Sequence, residues 1–194
     1  MDRPLLSLAR LRKELSASWV IVVFGGAFLV SQTTLVVLVQ RIGGAAFLEL
    51  QCRAYRASDY LEIFQQWESE GVLSLYRAHL IVDGAHWIWY AVFFAALLAR
   101  LLELNNVSGC YNFVLVLPLV SGLLDAYENR LQHLFLSDPD FVALIDPLPL
   151  FSTIASNLKW LLAAVYSLVA VVLVVAWCRR VSASRHATRA VDDA

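Results

Sequence analysis

The chain has 194 residues, of which 60% are hydrophobic and 16% charged, with a formal net charge of −1 and a mean hydropathy of +0.66. Soluble domains carry roughly 45–50% apolar and about 25% charged residues, so this is the composition of a membrane protein. The near-neutral charge and the lack of a long basic stretch argue against a nucleic-acid partner.

Residues 1–18 form a basic segment carrying Arg3, Arg10, Arg12 and Lys13 ahead of the first apolar run. That pattern is shared with signal-peptide n-regions. The run that follows, however, is longer than the ~7–15 residues of an h-region, and no clear Ala-x-Ala site follows it. An uncleaved first span is expected over residues 19–39. Three further apolar runs, at about 80–98, 113–136 and 151–177, each reach the ~20 residues a helix needs to cross ~30 Å of hydrocarbon. Together these predict an all-α integral membrane protein, a four-transmembrane-helix bundle over residues 19–177. The tail, 178–194, reads as disordered.

Lys and Arg placement sets the expected topology. Arg179, Arg180, Arg185 and Arg189 follow the last span, Arg100 marks the link between spans two and three, and residues 137–150 hold no basic residue. Both termini are therefore expected in the cytoplasm of a multi-pass plasma (inner) membrane protein, with the two longer loops outside. The sequon Asn106-Val107-Ser108 falls in a cytoplasmic link and reads as accidental. In the first outer loop, Asp59 and Glu62 have capping-box spacing, and Leu61, Phe64 and Trp67 follow at helical spacing. An amphipathic helix is predicted over about 59–70, ending at Gly71, on the membrane surface or over the bundle. The second outer loop is apolar but contains three prolines, so it is expected to dip into the interface without forming a continuous helix. Cys52, Cys110 and Cys178 form no Cys-x-x-Cys and are read as unpaired thiols.

The most informative feature is polar. Span three carries Asp125, Glu128, Asn129 and Gln132 at three- and four-residue spacing, which makes one helical stripe. Span two carries His79, Asp83, His86 and Tyr90 in the same way. Span four carries Ser152, Ser156, Lys159 and Tyr166, with Thr153, Asn157 and Trp160 alongside, and span one carries Ser31, Gln32, Thr33 and Thr34. A carboxylate near the bilayer centre costs at least ~2.5 kcal/mol, so such stripes must face a protein interior. Counted at ~1.5 Å per residue, these groups converge in the outer half of the bundle, whereas the inner half is apolar.

The leading expectation is a pocket for a small polar or amphipathic, lipid-like ligand. Asp125, Glu128 and His86 are its candidate catalytic groups, with Asp125 or Glu128 handling a proton. Asp83, Asn129, Gln132, Asn157, Lys159, Tyr90 and Gln32 are its candidate ligand-binding groups. In this reading Lys159 meets an anionic group while Asn129 and Asn157 orient it. No cofactor is implied. A metal set of His79, Asp83 and His86 is a competing arrangement, although no zinc-protease spacing occurs. Three acids against one Lys leave an imbalance that neutral acids, protonated His or a bound cation must meet. The pocket is similar in kind to those of small sterol-isomerase-type membrane proteins, which place acids, His and Trp among helices. No motif carries that likeness residue by residue, and no family is assigned from it. Intramembrane-protease signatures are absent. Two alternatives are a proton- or cation-coupled transporter or channel subunit, built by homo-oligomerisation, and a non-catalytic structural partner subunit. Membrane lipids are the expected surroundings in every case.

Overall fold

The computed structural model describes residues 8–137 and 140–192, with side chains described through residue 183, and among these the chain is helical with no strand. Seven α-helices follow one another: α1 (Leu8–Leu15), α2 (Ser18–Ile42), α3 (Gly44–Arg53), α4 (Ala57–Ser69), α5 (Leu73–Leu104), α6 (Val116–Phe135) and α7 (Leu148–Asp192). A short 3-10 helix, Gly109–Leu115, leads into α6. Four segments are long and apolar enough to cross a membrane, namely Ser18–Ile42, Leu73–Leu104, Gly109–Phe135 and Leu148–Ala183.

Helix ends follow from local chemistry. Gly43 takes a left-handed φ of 101°, which ends α2 and turns the chain directly into α3. Gly71, at φ 73°, stops α4 as its sequence position predicts. Val72 N then donates to Trp67 O at 2.8 Å and Gly71 N to Glu68 O at 3.0 Å, the paired bonds of a Schellman ending. The start of α4 differs from expectation. Asp59 is not its N-cap but lies three residues in, and its Oδ2 accepts from the amides of Tyr55 and Arg56 at 3.0 Å each. Asp146, from the loop before α7, accepts from Ala57 N at 2.9 Å, so two carboxylates satisfy the first turn.

Two helices were not anticipated. Arg12 of α1 donates to Val107 O at 2.9 Å and Asn112 Oδ1 at 3.1 Å, tying the basic segment across the turn between α5 and α6. At the other end α3 folds back and packs against α7. Pro147 and Pro149 stand at the start of α7, where a missing amide costs little, and no Gly or Pro follows them. The described helix runs on to Asp192.

Helix α2 packs on α5, α5 on α6, and α6 on α7. Gly122 lets α5 and α6 approach closely, since a Cβ there would sit 2.9 Å from Ala91 Cβ and 3.2 Å from Trp87 O. The two ends of the bundle have different fillings. Under α4 lie the fully buried rings of Tyr60, Phe64, Trp67, Tyr76 and Phe135. The loop before α7 adds Phe141 and Leu144 to that cluster rather than extending away from the protein, while Val142 and Ile145 stay exposed. At the α1 end Leu98, Ala99, Leu102, Leu115 and Ala170 close the bundle around Tyr166.

Candidate functional site

The stripes seen in the sequence face one another. On α5, His79, Asp83, His86 and Tyr90 are buried, as are Asp125, Glu128, Asn129 and Gln132 on α6 and Lys159 on α7. Lys159 Nζ stands 2.5 Å from Asp125 Oδ1 and 2.7 Å from Glu128 Oε2, so one ammonium is shared by two carboxylates. The contact with Glu128 lies off the hydrogen-bond axis and acts as an ion pair. Glu128 Oε1 accepts from Gln132 Nε2 at 2.9 Å, and Gln132 Oε1 in turn accepts from the Tyr76 hydroxyl. This chain links the charged centre to the aromatic cluster under α4. There, burial raises the Tyr60 phenol above the ordinary tyrosine range.

In front of Lys159 lies a cavity of about 520 Å³, of the size that ligand sites usually have. Its polar lining includes Gln32, His79, Asp83, His86, Asp125 and Lys159, and its mostly apolar walls include Phe28, Phe47, Tyr90, Phe94 and Trp160. His86 Nδ1 is 2.8 Å from Ser31 Oγ, and that hydroxyl also lies 2.8 Å from Ala27 O. A Ser31 hydroxyl bonded back to its own helix requires Nδ1–H of His86 as donor, which leaves Nε2 as an acceptor. His79 stacks on Tyr76 and meets Phe47 edge-on, and its Nδ1 has no hydrogen-bond partner among the described residues. Asp83 has no cation within ion-pair distance among the described residues, and its polar neighbour is Asn129.

Helix α2 forms one cavity wall yet makes no extended contact with α7, which forms another. Val36 of α2, Leu48 of α3 and Trp160 of α7 line the cavity and are also about half exposed on the molecule's outside. The cavity therefore opens sideways between α2, α3 and α7 through an apolar mouth.

Of the candidates drawn from sequence, Gln32, Asp83, His86, Tyr90, Asp125 and Lys159 line this one space. Glu128, Asn129 and Gln132 are buried close by but do not line it: Glu128 and Gln132 lead from Lys159 toward α4, and Asn129 neighbours Asp83. Asn157 does not line the cavity. It is exposed, one helical step off the buried face, and its Nδ2 donates to Cys52 O at 3.3 Å. Lys159 is not free to meet an anion, since two carboxylates already hold it. The His79, Asp83 and His86 set does not converge on a metal position, and no group of three such ligands does so among the described residues. Residues four and three apart on one helix are spread along about 10 Å of its axis, too far for a single ion without other elements.

Sequence reading missed the contribution of α3. Phe47 lines the cavity, and buried Gln51 does so too while its Oε1 accepts from Trp160 Nε1 at 3.2 Å. Phe47, Leu50 and Gln51 have the spacing of one helical face, which was the available signal.

The molecule is thus an all-helical protein with four membrane-length apolar helices and, at one end of its bundle, a mostly apolar cavity backed by buried ionisable groups. Comparison with protein-family models, with curated proteins and with solved structures finds no match to this chain.

Proposed function

We propose that this protein is a four-span membrane protein, with both termini cytoplasmic, whose pocket binds or processes a small amphipathic, lipid-like ligand taken from the outer half of the bilayer. One observation carries the reading: a ligand-sized cavity holds ionisable groups at its back and has an apolar mouth between α2 and α7. A mostly apolar space with a few ionisable groups at its back suits a molecule with a small polar head and a hydrocarbon body. Ionisable groups are expensive at membrane depth, and a purely structural network would not require an open space in front of them. Transport is the weaker reading, because Leu98, Ala99, Leu102 and Leu115 fill the opposite end and leave no polar path through one chain. Within the pocket, Asp125, His86 and Asp83 are the groups positioned to exchange a proton with a bound ligand.

Two measurements test this. Cysteine labelling with a membrane-impermeant reagent checks the orientation. Glu62→Cys on the exposed face of α4 is to be labelled in intact cells, whereas Cys110 and Cys178 are spared. Native Cys52 is half-buried in α3 and makes a poorer reporter. Labelling of Cys178 from outside reverses the topology. For the pocket, Ala163→Trp places an indole at the cavity wall beside the mouth. Protein extracted from membranes in mild detergent is to carry a co-purifying small amphiphile, seen by native mass spectrometry, that the Ala163→Trp protein lacks. Equal retention by both proteins would remove the pocket from the argument.

A further inference from the structure

The charges of the cavity are unequal. Asp83, Asp125 and Glu128 are three carboxyl groups, and Lys159, held by the last two, is the one cation among them. Arg130, the nearest basic residue along α6, is exposed on the opposite side of that helix. His79 and His86 also border the space. His79 lies between the rings of Tyr76 and Phe47, and His86 lies against Phe28 and is bonded to Ser31, so both are packed as ring systems. Asp83 makes no ion pair among the described residues, and Lys159 acts on it only from beyond ion-pair distance. Asp83 is 6% exposed, and that small exposure is into the cavity.

The walls fit the same sign of charge. Aromatic faces attract cations through their quadrupole, and they are worth more where water is excluded. Phe28 and Phe47 stand next to the two histidines that flank Asp83 one helical turn to either side, and Tyr90 and Trp160 stand further along the wall. An anion placed here would meet aromatic rings and the two lining carboxyl groups, Asp83 and Asp125, with no unshared positive charge. A neutral alcohol could bond to Asp83 only as a dipole, without the charge attraction a cation gains there.

We infer that the pocket selects an amphiphile carrying a basic or quaternary nitrogen, whose cation pairs with Asp83 among aromatic rings while its apolar body lies in the mouth between α2 and α7. This rests on the pocket reading above and narrows it to a substrate class. Asp83 is the specificity-determining residue. The Asp125–Lys159–Glu128 group holds the frame that positions it.

Native mass spectrometry in an uncharged maltoside detergent tests the inference with three probes of equal chain length: decyltrimethylammonium, decanol and decanoate. The cation is expected to form a one-to-one adduct at a concentration about tenfold below either competitor, the ratio a single favourable contact of this kind supplies. Asp83→Asn, nearly isosteric, is expected to remove that preference while decanol binding persists, and Asp83→Glu is expected to keep it. Preference for decanoate, or an unchanged preference in Asp83→Asn, overturns the inference. If Asp83→Asn fails to fold, the ranking of the three probes on the unaltered chain and on Asp83→Glu still decides. Decanol and decanoate binding that Ala163→Trp blocks, without preference for the cation, leaves the pocket standing and removes its selectivity. No binding of any probe removes both.

Discussion

The two ends of this bundle are built from the same helices by opposite means. Toward α4 the interior is held by an ammonium between two carboxylates, an amide, a phenol and a carboxyl facing open space. Toward α1 the same helices meet through alanine, leucine and valine, with Tyr166 at the boundary. Between helices in lipid there is little hydrophobic drive, so close packing of small side chains is enough to close a bundle. The apolar end shows that this chain has that solution available. In the proposed reading the polar end reflects a requirement other than closure, and the cavity beside it is where that requirement acts.

The comparison breaks most sharply at Lys159. Lys159→Met strands Asp125 and Glu128 together and is expected to cost about 3–5 kcal/mol, read as thermal stability in detergent. Replacing Asp125 by Leu alongside it leaves Glu128 stranded, so recovery needs the triple change Asp125→Leu, Glu128→Gln and Lys159→Met. That variant is expected to regain most of the stability without restoring ligand binding. A triple variant that binds normally would make the polar end merely structural. At the opposite end Leu98, fully buried, gives the converse. Leu98→Ala is expected to lose about 2–4 kcal/mol through the cavity it leaves, with ligand affinity unchanged. A binding defect larger than the stability loss explains would show the two ends to be coupled. The smallest effect is expected at Asp59→Ala, which frees the amides of Tyr55 and Arg56 and is expected to cost about 1 kcal/mol. Its readout is faster amide exchange at the start of α4 with little change at Asp83, and equal loosening of both would tie the cover to the pocket.

Much of this was legible in the sequence because hydrocarbon makes polar residues conspicuous. The spacing of His79, Asp83 and His86, and of Asp125, Glu128 and Asn129, needs only helical periodicity to read as two facing stripes. What periodicity cannot give is which member of a buried stripe borders open space. Glu128 and Asp125 are three residues apart and share Lys159, yet only Asp125 lines the cavity. Asn157 misled for a related reason, since its neighbour Ser156 is fully buried while Asn157 turns outward. Helices α1 and α3 escaped notice because each is short and lies beside a longer apolar run that dominates any hydropathy reading. Their roles come from tertiary contacts, Arg12 with Val107 and Gln51 with Trp160, that span about half the chain.

The aromatic cluster beneath α4 has a consequence for how the protein assembles. Spanning helices that have entered a bilayer gain nothing from water when they come together. Tyr60, Phe64 and Trp67 belong to a shorter, amphipathic helix whose other face carries exposed Glu62, Gln65, Gln66 and Glu68. In the proposed orientation these rings start in contact with solvent and leave it by docking on Tyr76 and Phe135, at the ends of α5 and α6. Desolvation, absent from the rest of the assembly, is thus concentrated at one place that touches two of the four spans and, through Phe141 and Leu144, the approach to a third. The docking of α4 acts as a clasp driven by water on a bundle otherwise surrounded by oil. Urea, which weakens apolar burial where water can reach it, would be felt first at that clasp.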